Sequence, residues 1–369
     1  MIPLFEHHQP LAHKLPHISL GEFPTPIQKL DQLGSHIGLD SLFIKRDDLS
    51  GKIYGGNKIR KLEFILGDAL RSKVNEVLTF GAAGSNHALA TAIYAKQLGL
   101  KSISMLVPQP NAHYVRRNLL MSCHCGAELH LYPNIPYVTP LATLAVFYQL
   151  LRHRLKSGQF PKIIPMGGSS PLGAVGFVNA AFELKEQILK GEIPEPDYIY
   201  VASGSMGTAA GLTLGLKAIK SKTRVISVRV NSDKFVNAKG MVKLINKTNA
   251  LLSSLDPSFP TLGFSEHDID IRHGSFGKQY ALFTKEGMEA AARMERYGGI
   301  KLEGTYTGKA FAALIDDGKK SSLRDKVLLF WNTYNSLDFS KAIANIDYHR
   351  LPRCFHRYFE EEVQPLERE

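Results

Sequence analysis

The run Tyr54-Gly55-Gly56-Asn57-Lys58-Ile59-Arg60-Lys61-Leu62-Glu63 sets two glycines, an amide and a lysine directly ahead of a strongly helical stretch. A lysine delivered by a glycine turn to the start of a helix lies against the positive end of the helix dipole. Its ammonium is destabilised there, and the free amine that Schiff-base chemistry requires is easier to reach. Lys58 is therefore a candidate nucleophile. A solvated surface lysine would also fit the turn, and the neighbouring motifs decide between the two.

Four loops could carry the rest of such chemistry. Gly81-Ala82-Ala83-Gly84-Ser85-Asn86-His87 opens a helix. Ser85 and Asn86 are good N-caps, and the same geometry offers backbone N–H groups and a hydroxyl to an anion such as a substrate carboxylate. His87 by itself reads as a packed or solvated residue. Ser203-Gly204-Ser205-Met206-Gly207-Thr208 leads into a helix of small residues and can curl into a nest of N–H donors for a phosphate. It lacks the spacing of a nucleoside-triphosphate loop. Ala202 also stands where a G-x-G-x-x-G pattern needs its first glycine, which argues against a nicotinamide cofactor. Residues 165–173 form a dense turn, and Glu303-Gly304-Thr305-Tyr306-Thr307-Gly308-Lys309-Ala310 places Tyr306 just ahead of a helix.

These loops need elements to position them. Strands are expected at 76–80, 102–107, 128–131, 163–164, 198–202, 225–230 and 327–330. Helices are expected at 86–98, 114–122, 140–156, 174–189, 208–219, 285–297 and after Thr307. Alternation of this kind implies parallel strands joined by crossover helices. The fold class is α/β with two doubly wound open sheets, ligands binding where loops leave the C-terminal ends of the strands.

With 369 residues, 44% hydrophobic and 21% charged, the chain is long enough for two domains of ordinary globular composition. Its net charge of +11 is scattered and forms no stripe, so it favours small anionic ligands over nucleic acid. Cys123, Cys125 and Cys354 are too few for a disulfide framework and fit a reducing compartment. Cys123-His124-Cys125 is spaced too tightly for a zinc knuckle and reads as a helix end, so no metal is expected. The His- and Pro-rich N-terminus is not a signal peptide, and no stretch reaches the ~20 apolar residues of a membrane span. A cytoplasmic protein without a membrane partner is expected.

Together these segments resemble the pyridoxal-phosphate enzymes of the tryptophan-synthase-like fold (fold type II). More narrowly, they resemble the family of 1-aminocyclopropane-1-carboxylate deaminase and D-cysteine desulfhydrase. The resemblance is carried by Lys45-Arg46-Asp47-Asp48, the lysine segment 55–63, Gly84-Ser85-Asn86-His87, the turn 167–173 and Tyr306-Thr307-Gly308-Lys309-Ala310, and it runs in order from about Pro24 to Phe330. It implies that Lys58 joins covalently to the aldehyde of pyridoxal 5'-phosphate and that Asn86 hydrogen-bonds the cofactor's phenolic oxygen. Ser203, Gly204, Ser205, Met206, Gly207 and Thr208 would hold the phosphate, and Thr333 would lie beside the pyridine nitrogen. Ser85, Asn86 and His87 would bind the substrate, Tyr306 would flank the reacting carbons, and Lys58, Ser85 and Tyr306 would form the catalytic set. The implied division is a large cofactor-binding domain, 1–60 plus 166–369, and a small domain, 61–165, in a homodimer.

The chain also departs from that family. Trp331-Asn332-Thr333-Tyr334-Asn335-Ser336 replaces a His-Thr-Gly-Gly run. Ser275-Phe276-Gly277 is the best match to a second active-site tyrosine, and Thr307 stands in place of an acidic residue. The last two differences favour β-elimination from a small amino acid, D-cysteine first, with cyclopropane opening as the alternative. A non-catalytic cofactor- or amino-acid-binding protein is the alternative of another class.

Overall fold

The computed structural model describes residues 1–133 and 140–367. Among the described residues the strands are β1 (Ile27–Lys29), β2 (Leu42–Lys45), β3 (Glu76–Ala82), β4 (Lys101–Val107), β5 (Glu128–Leu131), β6 (Lys162–Ile164), β7 (Tyr198–Ser203), β8 (Arg224–Arg229), β9 (Asp270–Arg272) and β10 (Leu328–Trp331). They form two sheets, in orders β1-β2-β10-β7-β8-β9 and β5-β4-β3-β6. Every pairing is parallel except that of β1 with β2. All seven expected strands are present, each within two residues of its predicted ends.

Two compact units hold these sheets: Met1–Phe64 with Ser169–Ser336, and Ile65–Gly168 with Leu337–Glu369. In the first, Leu329 and Trp331 of β10 and Ile199 and Val201 of β7 are buried against the helices Pro171–Leu189 and Gly207–Ala218. Each such side chain contributes about 1.5–3 kcal/mol of burial. Ser170 caps the first of these helices by accepting from Gly173 N at 3.1 Å, and Pro171 occupies its opening turn.

A buried ionic cluster joins that helix to the lysine segment. Arg60, 1% exposed, donates to both carboxylate oxygens of Glu183 at 2.8 and 2.9 Å and to Asp47 at 2.8 Å, while Lys45 Nζ lies 2.6 Å from Glu183. The Lys-Arg-Asp-Asp motif is thus internal scaffolding. Buried charges of this kind hold only when each finds its partner.

In the second unit β3 is buried along its whole length, as expected of a central parallel strand. The helix His113–His124 ends at Cys123-His124, with Cys125 as its C-cap, which agrees with the reading of that motif. The segment 337–369, grouped from sequence with the large domain, belongs to this unit, where it forms the short helices Ser340–Ile343 and Arg357–Glu360.

Candidate active site

Lys58 is the first residue of the helix Lys58–Arg71, as its sequence position implied. The turn before it needs glycine. A Cβ on Gly55 would stand 2.1 Å from Asp48 O, and one on Gly56, which has φ +91, would stand 2.9 Å from Thr333 O. Asn335 Oδ1 accepts from Gly55 N at 2.6 Å, and Thr333 O accepts from Asn57 N at 3.2 Å. The segment Trp331–Ser336, which departs from the family pattern, therefore clamps the backbone that delivers Lys58. Thr333 itself sits partly buried just past the end of β10.

Lys58 Nζ donates to Asn57 Oδ1 at 2.9 Å, and Asn57 Nδ2 donates to Thr208 Oγ1 at 2.9 Å. Loss of hydration brings the Lys58 ammonium down to about 8, with Glu303 pulling the other way. The direction is the one inferred from the helix dipole, but burial is the main cause.

Thr208 lies in the first turn of Gly207–Ala218, whose N-cap is Met206 in the left-handed region at φ +65. The Met206 side chain does not cap this helix, so beyond Gly207 its first N–H groups are left for another acceptor. Two further groups converge there. Gly207 N donates to Ser169 Oγ at 3.1 Å, Ser169 Oγ donates to Ser205 Oγ at 2.9 Å, and Lys61 Nζ lies 3.5 Å from Ser169 Oγ. Burial first and Lys58 second hold the Lys61 ammonium well below the ordinary lysine range. Asn231 Nδ2 steadies the loop by donating to Gly204 O at 3.0 Å.

Tyr306 stands over this loop, its ring 3.0 Å from where a Cβ on Gly204 would be. Glu303 fixes the turn by accepting from Tyr306 N at 2.7 Å, Thr305 N at 2.7 Å and Thr307 N at 2.8 Å. The phenol oxygens of Tyr306 and Tyr280 share a hydrogen bond. Tyr280 thus brings a second phenol to Tyr306, four residues beyond Phe276, whose own ring lies under the Arg229 guanidinium at 5.3 Å. Burial pushes the Tyr280 phenol up to about 12, opposed by the bond to Tyr306.

In the second unit, Ser85 Oγ accepts from Ala88 N at 3.2 Å and caps the helix Asn86–Gln97. Asn118 Nδ2 donates to Asn86 Oδ1 and to Gly84 O, both at 2.9 Å, which orients the Asn86 amide. His87 turns inward and is buried, its Nε2 3.0 Å from Thr79 Oγ1.

Sequence reasoning missed Lys61, Ser169, Tyr280 and Glu303. Lys61 had a readable signal, since it stands one turn after Lys58 on the same helix face. Tyr280 had none, because nothing in its neighbourhood marks it.

The profile of the pyridoxal-phosphate-dependent enzymes matches residues 18–333. The chain belongs to that family. It is 35% identical over 320 residues, 87% of this chain and 92% of the relative, to a protein of Pyrococcus furiosus named as a 1-aminocyclopropane-1-carboxylate deaminase. It is 33% identical over 317 residues, 85% and 91% of the two chains, to a D-cysteine desulfhydrase of Serratia proteamaculans. The crystal structure of an ACC deaminase homologue superposes with a TM-score of 0.74 at 32% identity, covering 91% of this chain and 97% of the other. This pyridoxal-phosphate enzyme thus has the type II fold expected of it, and its cofactor is pyridoxal 5'-phosphate.

The residues of the first unit fit that cofactor. The first turn of that helix, the Ser205 and Ser169 hydroxyls and the Lys61 ammonium form a cradle that a Cβ on Gly207 would fill, meeting Ser169 Oγ at 2.6 Å and Lys61 Nζ at 2.9 Å. Ser203 Oγ is buried with no hydrogen-bond partner among the described residues. A phosphate dianion answers both the donor excess and the depressed ammonium.

Proposed function

We propose that this pyridoxal-phosphate enzyme removes a β-substituent from a small amino acid, D-cysteine being the preferred substrate, to give a 2-oxo acid, ammonia and hydrogen sulfide. The observation that carries this reading is the state of Thr307. Its hydroxyl is buried against Glu303, accepting from Glu303 N at 3.0 Å, so the position after Tyr306 offers no carboxylate for opening a cyclopropane ring.

Lys58 would join the cofactor. Ser203, Gly204, Ser205, Met206, Gly207 and Thr208 would hold the phosphate, with Lys61 and Ser169. Thr333 would serve the pyridine nitrogen and Asn86 the phenolic oxygen. When bound, pyridoxal 5'-phosphate withdraws electrons from the α-carbon of the attached amino acid. The freed Lys58 amine, with its depressed pKa, takes the α-proton as general base. Ser85 donates to the substrate carboxylate beside the first N–H groups of its helix, with Asn86 next to it and His87 bracing them. Tyr306, hydrogen-bonded to the neutral phenol of Tyr280, supplies the proton with which the thiolate leaves. Hydrolysis of the remainder consumes one water and balances the reaction. In this reading residues 1–64 and 169–336 supply every one of these groups except Ser85, Asn86 and His87.

The Tyr280–Tyr306 pair favours a second reading, deamination of 1-aminocyclopropane-1-carboxylate, because it supplies two hydroxyls where one was expected. Release of sulfide, ammonia and 2-oxo acid should be assayed with D- and L-cysteine, D- and L-serine and the cyclopropane amino acid. Sulfide from D-cysteine, abolished in Lys58→Ala, supports elimination. 2-Oxobutanoate from the cyclopropane substrate without sulfide from D-cysteine reverses the order. A shift in visible absorbance with no product at all would return the protein to a binding role.

The enzyme also reads as a cytoplasmic homodimer. None of its three cysteines is in a disulfide, which suits a reducing compartment. The helix Pro140–Ser157 points polar Gln149 and His153 inward and Leu144, Phe147, Tyr148, Leu151 and Leu155 outward, Leu155 being 80% exposed. The outward positions 144, 148, 151 and 155 follow a 4-3-4 spacing that suits a second helix. Together with Phe147 they expose an apolar stripe of the kind that a stable interface buries. A second copy of this chain is the proposed occupant. Leu151→Glu with Leu155→Glu should yield a monomer in sedimentation, and a wild-type monomer at micromolar concentration would reject the proposal.

A further inference from the structure

Residues beyond 333 lie outside the span matched to the family, yet the segment from Leu337 is built firmly into the second unit. Phe355 and Tyr358 are buried, Tyr358 to 2% exposure. The carbonyls of Tyr358 and Glu361 accept from Asn111 Nδ2, both at 2.9 Å, and from Arg116 at 2.7 Å each. Gln364 N donates to Asn111 O at 3.0 Å, and Glu367 Oε2 accepts from His113 N at 2.9 Å, where the helix His113–His124 has no side-chain cap of its own.

From this dock a short chain of hydrogen bonds leads to the proposed carboxylate loop. Gln109 N donates to the Tyr358 phenol oxygen at 3.1 Å. The Gln109 side chain accepts from Gly84 N at 2.9 Å and donates to Tyr114 Oη at 2.7 Å. Gly84 directly precedes Ser85 and has no slack. A Cβ there would meet the Tyr114 ring and Val115 at 2.8 Å and Gln109 Nε2 at 3.2 Å. Its carbonyl is held by Asn118, which also orients Asn86.

We propose that the C-terminal segment is a positioning element for substrate binding, in which Tyr358, acting through Gln109, holds the Gly84–Asn86 loop in the geometry that receives the substrate carboxylate. This rests on the reading that Ser85 and the helix behind it bind that carboxylate. Tyr358 touches neither substrate nor cofactor in this scheme. It removes conformational freedom from a loop whose donors must be in place before the substrate arrives.

The experiment uses the cofactor-loaded enzyme with Tyr358→Phe, Gln109→Leu, the double variant and Ser85→Ala. Loss of one hydrogen bond to a positioning group corresponds to roughly a two- to twelve-fold effect. Tyr358→Phe is expected to raise KM for the amino acid about five-fold while kcat changes less than two-fold and the visible cofactor spectrum is unaltered. Gln109→Leu should raise KM at least as much, and the double variant no more than Gln109→Leu alone, since both act through one path. Backbone amide exchange across residues 81–90 should quicken in Tyr358→Phe without activity entering the measurement. Unchanged KM and unchanged exchange in Tyr358→Phe, with KM raised in Gln109→Leu, overturns the role of the tail. Unchanged KM in Ser85→Ala, with exchange still quickened in Tyr358→Phe, shows instead that the loop is held but does not bind the carboxylate. Additive effects in the double variant reject the shared path.

Discussion

Asn57 Nδ2 donates to Thr208 Oγ1 at 2.9 Å while Asn57 Oδ1 accepts from Lys58 Nζ at the same distance. One amide therefore sets both the amine and the first turn of the helix behind the glycine loop. Asn57→Ala breaks both bonds and leaves the glycine turn intact. Two hydrogen bonds, each worth about 0.5–1.5 kcal/mol, give a cofactor release rate raised roughly five- to 150-fold. Dialysis followed by visible absorbance measures it, and an unchanged release rate removes Asn57 from the site.

The Lys58 amine, lowered to about 8 from an ordinary 10.5 chiefly by burial, gives a pH signature. Cofactor-stripped protein should take up pyridoxal 5'-phosphate faster as pH rises, levelling with a midpoint near pH 8. The linkage has a matching sign. Between 8 and 10.5 the unfolded chain holds a proton on this group that the folded chain has released, so the stripped protein gains stability with rising pH over that window. A midpoint above pH 10 contradicts the buried placement.

Much of this was legible beforehand because the relevant signals are local. Glycine turns, caps and apolar alternation marked Lys58, Ser85 and the seven strands that alternate with crossover helices from short stretches of sequence. What was not legible depends on contacts between distant residues. β1, β2 and β9 have three, four and three residues and carry charges, as in Asp270–Arg272, so no period could form. Tyr280 reaches Tyr306 only through the fold, and a search by local motif stopped at Phe276. The tail's place in the second unit is set by Asn111 and Arg116, which lie more than two hundred residues away in sequence, so no local signal could assign it.

Lys61 allows a test that separates phosphate binding from the rest of the cofactor. Its ammonium is penalised by burial and by Lys58, and a phosphate dianion in the cradle would reverse that penalty. Lys61→Met should weaken pyridoxal 5'-phosphate binding about ten- to a hundred-fold, as expected for loss of one charge-assisted hydrogen bond of roughly 1.5–3 kcal/mol. Binding of pyridoxal, which lacks the phosphate, should be unaltered. The stripped variant should unfold at the same Tm as wild type or higher, because a poorly solvated cation has been replaced by an apolar group of similar length. Equal loss for both ligands would mean that Lys61 supports the site only by packing.

Glu183 tests how the scaffold reaches the site. Burial alone would raise its carboxyl, but Arg60 and Lys45 outweigh that and hold it at about 2. A carboxyl depressed in the folded state stabilises fully above its unfolded value near 4.5, and that contribution is lost as pH falls toward 2. Wild-type stability in urea should therefore decline over this window, and Glu183→Gln should show a shallower decline. The substitution also leaves Arg60 and Lys45 to share Asp47, an uncompensated buried charge of the kind that costs about 3–5 kcal/mol. The consequence travels further than stability. Asp47 accepts from Trp331 Nε1 at 2.7 Å, and its carbonyl accepts from Gly56 N at 2.7 Å, one residue before Asn57. If Asp47 is pulled toward the orphaned cations, the turn that delivers Lys58 loosens. Glu183→Gln should then lower cofactor occupancy at temperatures where circular dichroism still reports a folded protein. Full occupancy up to the unfolding transition would confine the cluster to stability alone.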